Sequence, residues 1–259
     1  MDKDNSSLTS CTKPSWSAAP VNLSLADDEV HVWRASIDIS PGQRDGFAQT
    51  LSQDEQARAE RFLFQKDRDR FIASHGLLRL ILGSYMMTGP EELVFCYDQR
   101  GKPSLPIDGN ALRLSFNMAH SHDLALIAVS IDQEIGIDLE FIRADFPSAE
   151  IVTQFCSSEE SLRYDALPKH ERQRLFFIWW VRSEACLKAA GRGLSSGLNE
   201  HFRIPLVSPD GIPKIGTVAD RSTNQGYSLI DLNVGFGYVA ALAVQGDSRQ
   251  FIFRQWHHP

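Results

Sequence analysis

The sequence predicts an α+β protein of two similar α/β halves in a pseudo-twofold arrangement, with a functional cleft between them. Three observations predict it. Ile135, Ile137 and Leu139 alternate with Gly136, Asp138 and Glu140, which is strand periodicity. Helix-like segments precede strand-like segments on both sides of a junction near residues 131 to 134. The apolar runs Leu124–Val129 and Val239–Val244 resemble one another at equivalent points of the two halves. The chain then divides into residues 1–20, a disordered Ser-, Thr- and Pro-containing N-terminus, an N-terminal half at 21–132 and a C-terminal half at 133–259.

Taken in order, Val30 to Ile37 reads as a first strand. Ser52 with Glu55 three residues later has the capping-box pattern that starts a helix. A second helix is expected over Asp67 to Tyr85, burying Phe71, Ile72, Leu78, Ile81 and Leu82. Gly101-Lys102-Pro103 is a turn, followed by a strand over Leu112 to Phe116, a loop over Asn117 to Asp123, a strand over Leu124 to Ser130 and a turn at Asp132-Gln133 that leads into the Asp138 strand. In the second half Leu175 to Ala190 is a long helix ended by Gly191, and strands are expected at Phe202 to Leu206, Gly226 to Asn233 and Tyr238 to Val244.

With 259 residues and 42% apolar content the chain can bury a full core. A net charge of −7 argues against nucleic acid as a partner, since phosphate backbones select a basic face. The charge is uneven, however: Arg61, Lys66, Arg68 and Arg70 stand against Asp67 and Asp69, and Arg79 follows. Cys11, Cys96, Cys156 and Cys186 show neither CxxC spacing nor neighbouring histidines, so reduced thiols are expected rather than a zinc ribbon or disulfide framework. Neither a signal peptide nor a membrane span is legible, and a cytoplasmic protein is expected.

The chemistry concentrates in four residues. Asp138 and Glu140 share one face of a strand, and Glu184 and Lys188 share one face of a helix. If the two elements meet, three carboxylates and an ammonium make a site for a hard, oxygen-seeking cation and the phosphate it carries. His120-Ser121-His122 would suit a transition metal, but the carboxylates favour a hard ion.

The stretches Arg61-Phe62 through Leu82, Gly101-Lys102-Pro103, Phe116-Asn117-Met118-Ala119-His120-Ser121, Ile135 to Glu140 and Trp180 to Leu194 occur in an order that resembles the 4'-phosphopantetheinyl transferases of the larger, surfactin-synthetase-activating type. The resemblance implies that family's fold and transfer of 4'-phosphopantetheine from coenzyme A to a serine of an apo carrier protein, whether acyl, polyketide or peptidyl, with release of 3',5'-ADP. It implies Mg2+, with Mn2+ as an alternative, held by Asp138, Glu140 and Glu184, and catalytic roles for Glu184 as proton acceptor and Lys188 as phosphate neutraliser. It implies that Lys66, Arg70 and Arg79 bind the 3'-phosphate and neighbouring groups, that Lys102 and Pro103 border the nucleotide, and that His120 contacts the coenzyme A phosphates. The N-terminal half would thus bind coenzyme A, and the C-terminal half would carry metal and catalysis. A monomer is expected, because two internal halves already build the cleft.

Two positions depart from the family's pattern: Ala119 stands where serine is frequent, and Ser183 where lysine often precedes the helical glutamate. The first removes a hydroxyl and the second a charge, and Arg182 lies about 100° round the helix from Ser183. Asp138, Glu140, Glu184 and Lys188 are intact, so an active enzyme is expected. The alternatives are a non-catalytic protein of the same fold that binds coenzyme A or a carrier, and a metal-dependent phosphatase or nuclease, which would call for further Asp or His ligands.

Overall fold

The computed structural model describes residues 15–20, 23–99, 101–106, 108, 110–143, 145–146, 148–193, 201–206, 216–246 and 250–258. Two antiparallel cores share one plan. In the first, β2 (Glu29–Ser36), α3 (Gln65–Met86), β5 (Leu114–Ser121) and β6 (Leu124–Ile131) give the strand order β2-β6-β5. In the second, β7 (Ile135–Phe141), α6 (Lys169–Ala189), β9 (Gly226–Leu232) and β10 (Tyr238–Gln245) give β7-β10-β9. Each core is therefore strand, helix, strand, strand, with its last strand in the middle.

Period-two alternation explains how each sheet is covered. On β2 and β6, Trp33, Ala35, Ala125 and Ile127 face Leu78 and Ile81 of α3. Val30, Val32, Leu126 and Ala128 point the other way and meet Ile137, Leu139 and Leu242 of the second sheet. The second sheet's outer face packs Leu229, Ala241 and Ala243 against Phe177 and Leu187 of α6. Each fully buried Leu or Ile contributes roughly 1.5–3 kcal/mol. The edges of the two sheets are joined along β5 and β7 by side chains: Asn117 Oδ1 accepts from the Ile137 amide at 2.8 Å, and Ser121 Oγ accepts from the Phe141 amide at 3.0 Å.

Smaller elements complete the chain. Serine caps with reciprocal Gln or Glu bonds start α1 (Pro41–Thr50), α2 (Gln53–Ala59) and α5 (Ser158–Asp165), the second of these at the expected Ser52–Glu55 pair. Strands β1 (Ser17–Ala18), β3 (Cys96–Tyr97), β4 (Pro103–Ser104) and β8 (Thr217–Ala219), a 3-10 turn at Pro90–Glu92 and α4 (Ser148–Phe155) fill the connections. No described helix is long and apolar enough to cross a membrane.

Several expectations are corrected. The loop expected over Asn117 to Asp123 is strand as far as Ser121, because its amides pair with β6 from Leu114–Ile131 to Ser121–Leu124. The strand expected over Phe202 to Leu206 is irregular: Phe202, Ile204 and Leu206 are buried, but they pack side chains without a ladder, and Trp179 Nε1 donates to the Ile204 carbonyl at 2.9 Å. Helix α6 begins at Lys169, directly after Pro168, instead of Leu175. The C-terminal strand β11 (Gln250–Gln255) returns to the first sheet and pairs in parallel with β2. Of the segment expected to be disordered over 1–20, residues 1–14 lie outside the described residues, whereas Ser17–Ala18 pair with β11.

Candidate active site

The site lies where β5 and β7 meet, between α3 and α6. Gly136 is what lets α6 come close enough: a Cβ there would overlap the Ala185 carbonyl oxygen and the Ala189 amide of the crossing helix. Asp138 and Glu140, on the same face of β7 as Gly136, therefore look onto the Glu184–Lys188 turn of α6. Lys188 Nζ donates to Asp138 Oδ1 at 2.7 Å and to the Ile137 carbonyl at 3.1 Å. Asp138 is 7% exposed, and its buried Oδ2 has no hydrogen-bond partner. Ser121 Oγ donates to Glu140 Oε2 at 2.9 Å.

The carboxylates are under-compensated. Burial raises the pKa of Asp138 against the pull of Lys188. Burial also raises that of Glu140, helped by Asp138 and opposed by the Ser121 bond. Glu184 is pushed up to about 7, first by burial and then by the negative charge of Asp138 and Glu140. Among the described residues no three His, Cys, Asp or Glu side chains stand close enough to hold one ion, with the Lys188 ammonium lying against Asp138. The donor set nevertheless fits a hard cation: three carboxylates, one with an orphaned buried oxygen, in surroundings that penalise their charge until a positive partner arrives.

The first half brings cations to the same seam. His120 lies on β5 with its residue surface exposed, and crowding of its ring, with repulsion from Lys188 and Arg70, lowers its pKa. Behind it His75 stacks on Phe71 at 3.8 Å and is pushed down to about 4, chiefly by burial. Arg70 Nη2 donates to Asp123 Oδ1 at 2.8 Å, the exposed Lys66 ammonium is 3.8 Å from the same oxygen, and the buried Arg70 Nε has no partner. Lys102 Nζ donates to the Lys188 carbonyl at 2.6 Å, tying the Gly-Lys-Pro turn to α6. Lys102 and Pro103 also border a groove of about 500 Å³ that runs past Phe116, Glu134 and Gly191.

Arg79 does not join this surface, contrary to expectation. It is 1% exposed, bonds Glu55 Oε2 at 2.6 Å and the Pro90 and Leu93 carbonyls at 2.8 and 2.9 Å, and packs its guanidinium over Phe95. Its donors are engaged in holding α2 and the 3-10 turn against α3.

Compared with known proteins, the chain is 39% identical over 243 residues, 94% of its own length and 98% of the relative's, to the 4'-phosphopantetheinyl transferase HetI of Nostoc sp.. The chain belongs to the 4'-phosphopantetheinyl transferase superfamily. Residues 40–132 match the family profile described as 4'-phosphopantetheinyl transferase, N-terminal, and residues 134–243 match that of the 4'-phosphopantetheinyl transferase superfamily. It is also 35% identical over 155 residues, 60% of this chain and 63% of the relative, to a putative 4'-phosphopantetheinyl transferase of Synechocystis sp.. With Sfp of Bacillus subtilis it shares 27% identity over 161 residues, 62% of this chain and 69% of that protein. The protein is thus an enzyme of the phosphopantetheinyl transferase class.

Within that superfamily the two departures take on a structural meaning. Ser183 is 1% exposed, and its Oγ donates to the Trp179 carbonyl one turn back at 2.7 Å, so a lysine there would have to bury its ammonium stem in the helix-sheet core. Arg182 points away from the site and forms a two-pronged pair with Asp231, at 2.8 and 2.6 Å. Ala119 lies at 5% exposure in the core between the sheets. Four residues escaped sequence reasoning: Asn117 and Ser121, which join the sheets, Asp123, which holds Arg70, and Gly136. Only Gly136 carried a signal, a glycine inside a strand pattern.

Proposed function

We propose that this transferase moves the 4'-phosphopantetheine arm of coenzyme A onto a serine hydroxyl of an apo acyl, polyketide or peptidyl carrier protein, with Mg2+ required and 3',5'-ADP released. The observation that carries the reading is the convergence of Asp138, Glu140, Glu184 and Lys188 at the β5–β7 seam, with unneutralised carboxylates.

Asp138, Glu140 and Glu184 would hold the Mg2+ ion, which supplies positive charge against the pyrophosphate oxygens of the substrate. The protein's own groups do the rest. Lys188, already bonded to Asp138, stands ready to neutralise charge that develops on the phosphoryl group. Lys66 and Arg70 bind the phosphates of coenzyme A as local cations in an acidic protein, His120 meets them as a neutral hydrogen-bond donor, and Lys102 and Pro103 border its nucleotide. Glu184, raised to about 7, accepts the serine proton as the hydroxyl attacks the β-phosphorus, and the bond to the departing 3',5'-ADP oxygen breaks. Burial of the carboxylates keeps water from shielding these charges.

The coenzyme side would be the work of residues 21–132 and the metal side of 133–259. The shared strand order of the two sheets supports a pseudo-twofold relation between these halves, and hence a monomeric enzyme. The free Cys96, Cys156 and Cys186 agree with work in a reducing cytoplasm.

The test is incubation with coenzyme A, Mg2+ and a panel of apo carriers drawn from fatty-acid, polyketide and nonribosomal-peptide systems, each then weighed by intact mass spectrometry. At least one carrier should gain the mass of a single phosphopantetheine on its serine. No gain on any carrier, with coenzyme A bound, would favour the non-catalytic alternative.

A further inference from the structure

The turn between β9 and β10, residues 233 to 237, carries Phe236 at its tip with the whole side chain in water, at 104% relative exposure. The backbone beneath it is held from three directions. Trp16 Nε1 donates to the Asn233 carbonyl at 3.1 Å, Arg34 Nη1 to the Val234 carbonyl at 3.0 Å, and the Ile142 amide to the Gly237 carbonyl at 2.8 Å. Val234 is buried, and Gly237, at φ 82°, fits closely over the Phe141 ring. An exposed aromatic ring on a pinned backbone loses little freedom when a partner covers it, which makes it a low-cost anchor.

Its place in the fold points to the partner. In the β7–β10 ladder Tyr238 pairs with Phe141 and Val239 with Glu140, so the turn overhangs the Glu140 end of the site. Tyr238 Oη accepts from the Asp123 amide at 3.4 Å, and Asp123 in turn pairs with Arg70 and Lys66 at the start of α3. On that far side Leu63 and Phe64 are 88% and 66% exposed. On the same edge the exposed Arg143 follows Phe141 and Ile142, and His122 stacks on Phe141 and pairs with Asp123 at 2.6 Å. A mouth with apolar rims and basic side chains, on a chain of net charge −7, complements a small acidic domain with an apolar patch.

We propose that the carrier protein docks on the Phe236 turn, burying the ring in its own apolar patch while its acidic residues face Arg143, so that its serine is delivered to Glu140 and Glu184. This inference rests on the transfer reading given above and adds the residue that seats the protein substrate.

The test uses the whole chain with coenzyme A, Mg2+ and the apo carrier that the parent enzyme modifies fastest. Phe236→Ala should raise KM for that carrier about tenfold, and Phe236→Asp further, because it adds repulsion to the lost burial. The kcat at saturating carrier and the calorimetric affinity for coenzyme A should stay within about twofold of the parent. Both variants should melt at the parental temperature, since the ring supports nothing in the fold. An unchanged carrier KM in Phe236→Asp overturns the proposal. So does an equal loss of coenzyme A affinity, which would assign the turn to the coenzyme, and so does loss of a parental dimer in sedimentation, which would make the occupant a second copy. A parent enzyme that modifies no carrier at all would sink the transfer reading and this inference with it.

Discussion

The two long helices treat charge in opposite ways. On α3 the cations are already matched: Arg79 is sealed against Glu55, and Arg70 is turned onto Asp123. On α6 and the strand it crosses, one ammonium faces three carboxylates and negative charge is left over: Lys188 pairs with Asp138 through one oxygen only, and Glu184, with no hydrogen-bond partner among the described residues, is pushed up to about 7. Paired charge inside a protein is mostly architecture, because removing one partner strands the other. Unpaired charge in a groove is retained at a cost and marks where a ligand of the opposite sign belongs. The first half is thus a scaffold with a thin cationic rim, and the second carries the surplus negative charge on which the proposed cation site rests.

The largest expected effect would break this contrast on the α3 side. Arg79→Ala leaves Glu55 buried and unpaired, so it should cost about 3–5 kcal/mol of stability. Lys66→Ala removes an exposed ammonium, and the melting temperature should barely move. Calorimetry on the parent should show a preference for coenzyme A over dephospho-coenzyme A, and the same Lys66 variant should lose part of it. An Arg79→Ala protein of normal stability but poor coenzyme A binding would return Arg79 to the ligand surface.

Much of this was legible because it is local. The alternation in Ile135–Glu140 and the four-residue spacing of Glu184 and Lys188 are properties of a strand and a helix, and both elements formed where those patterns lie. What could not be read depended on partners distant in the chain. Asn117, Ser121 and Asp123 are turn-forming residue types, yet Asn117 and Ser121 use their side chains to bond the amides of a strand 20 residues on. Arg79 belongs chemically with the other basic residues, and only the fold brings Glu55, 24 residues earlier, against it. Ser183 sits on a helix that is buried nearly all round, so no amphipathic stripe announced which of its positions face water.

A smaller effect sharpens the contrast on the α6 side. In metal-free protein the folded state keeps a proton on Glu184 up to about pH 7, whereas the unfolded chain releases it near the ordinary value of 4.5. Stability from this group therefore falls as pH rises from 4.5 to 7 and stays lowered above that. Asp138 and Glu140, raised in the same sense, add to the fall, whereas His31, His75 and His120, all lowered, act in the opposite sense below their usual 6.5. Comparing Glu184→Gln with the parent isolates the one group. The variant should melt roughly 2–4 °C higher than the parent at pH 8 and level with it at pH 4.5. A difference that does not change with pH would mean that Glu184 titrates normally.

The central claim is that Asp138 and Glu184 serve a divalent cation required for transfer. The direct measurement is the initial rate of carrier modification, followed by intact mass, for the parent, Asp138→Asn and Glu184→Gln, first in EDTA and then across an Mg2+ titration. The account predicts no transfer by the parent in EDTA, recovery with Mg2+, and rates in both variants lower on the order of 10²–10³-fold at saturating Mg2+, with circular dichroism unchanged. Full parental activity in EDTA, or near-parental rates in either variant at saturating Mg2+, would contradict it.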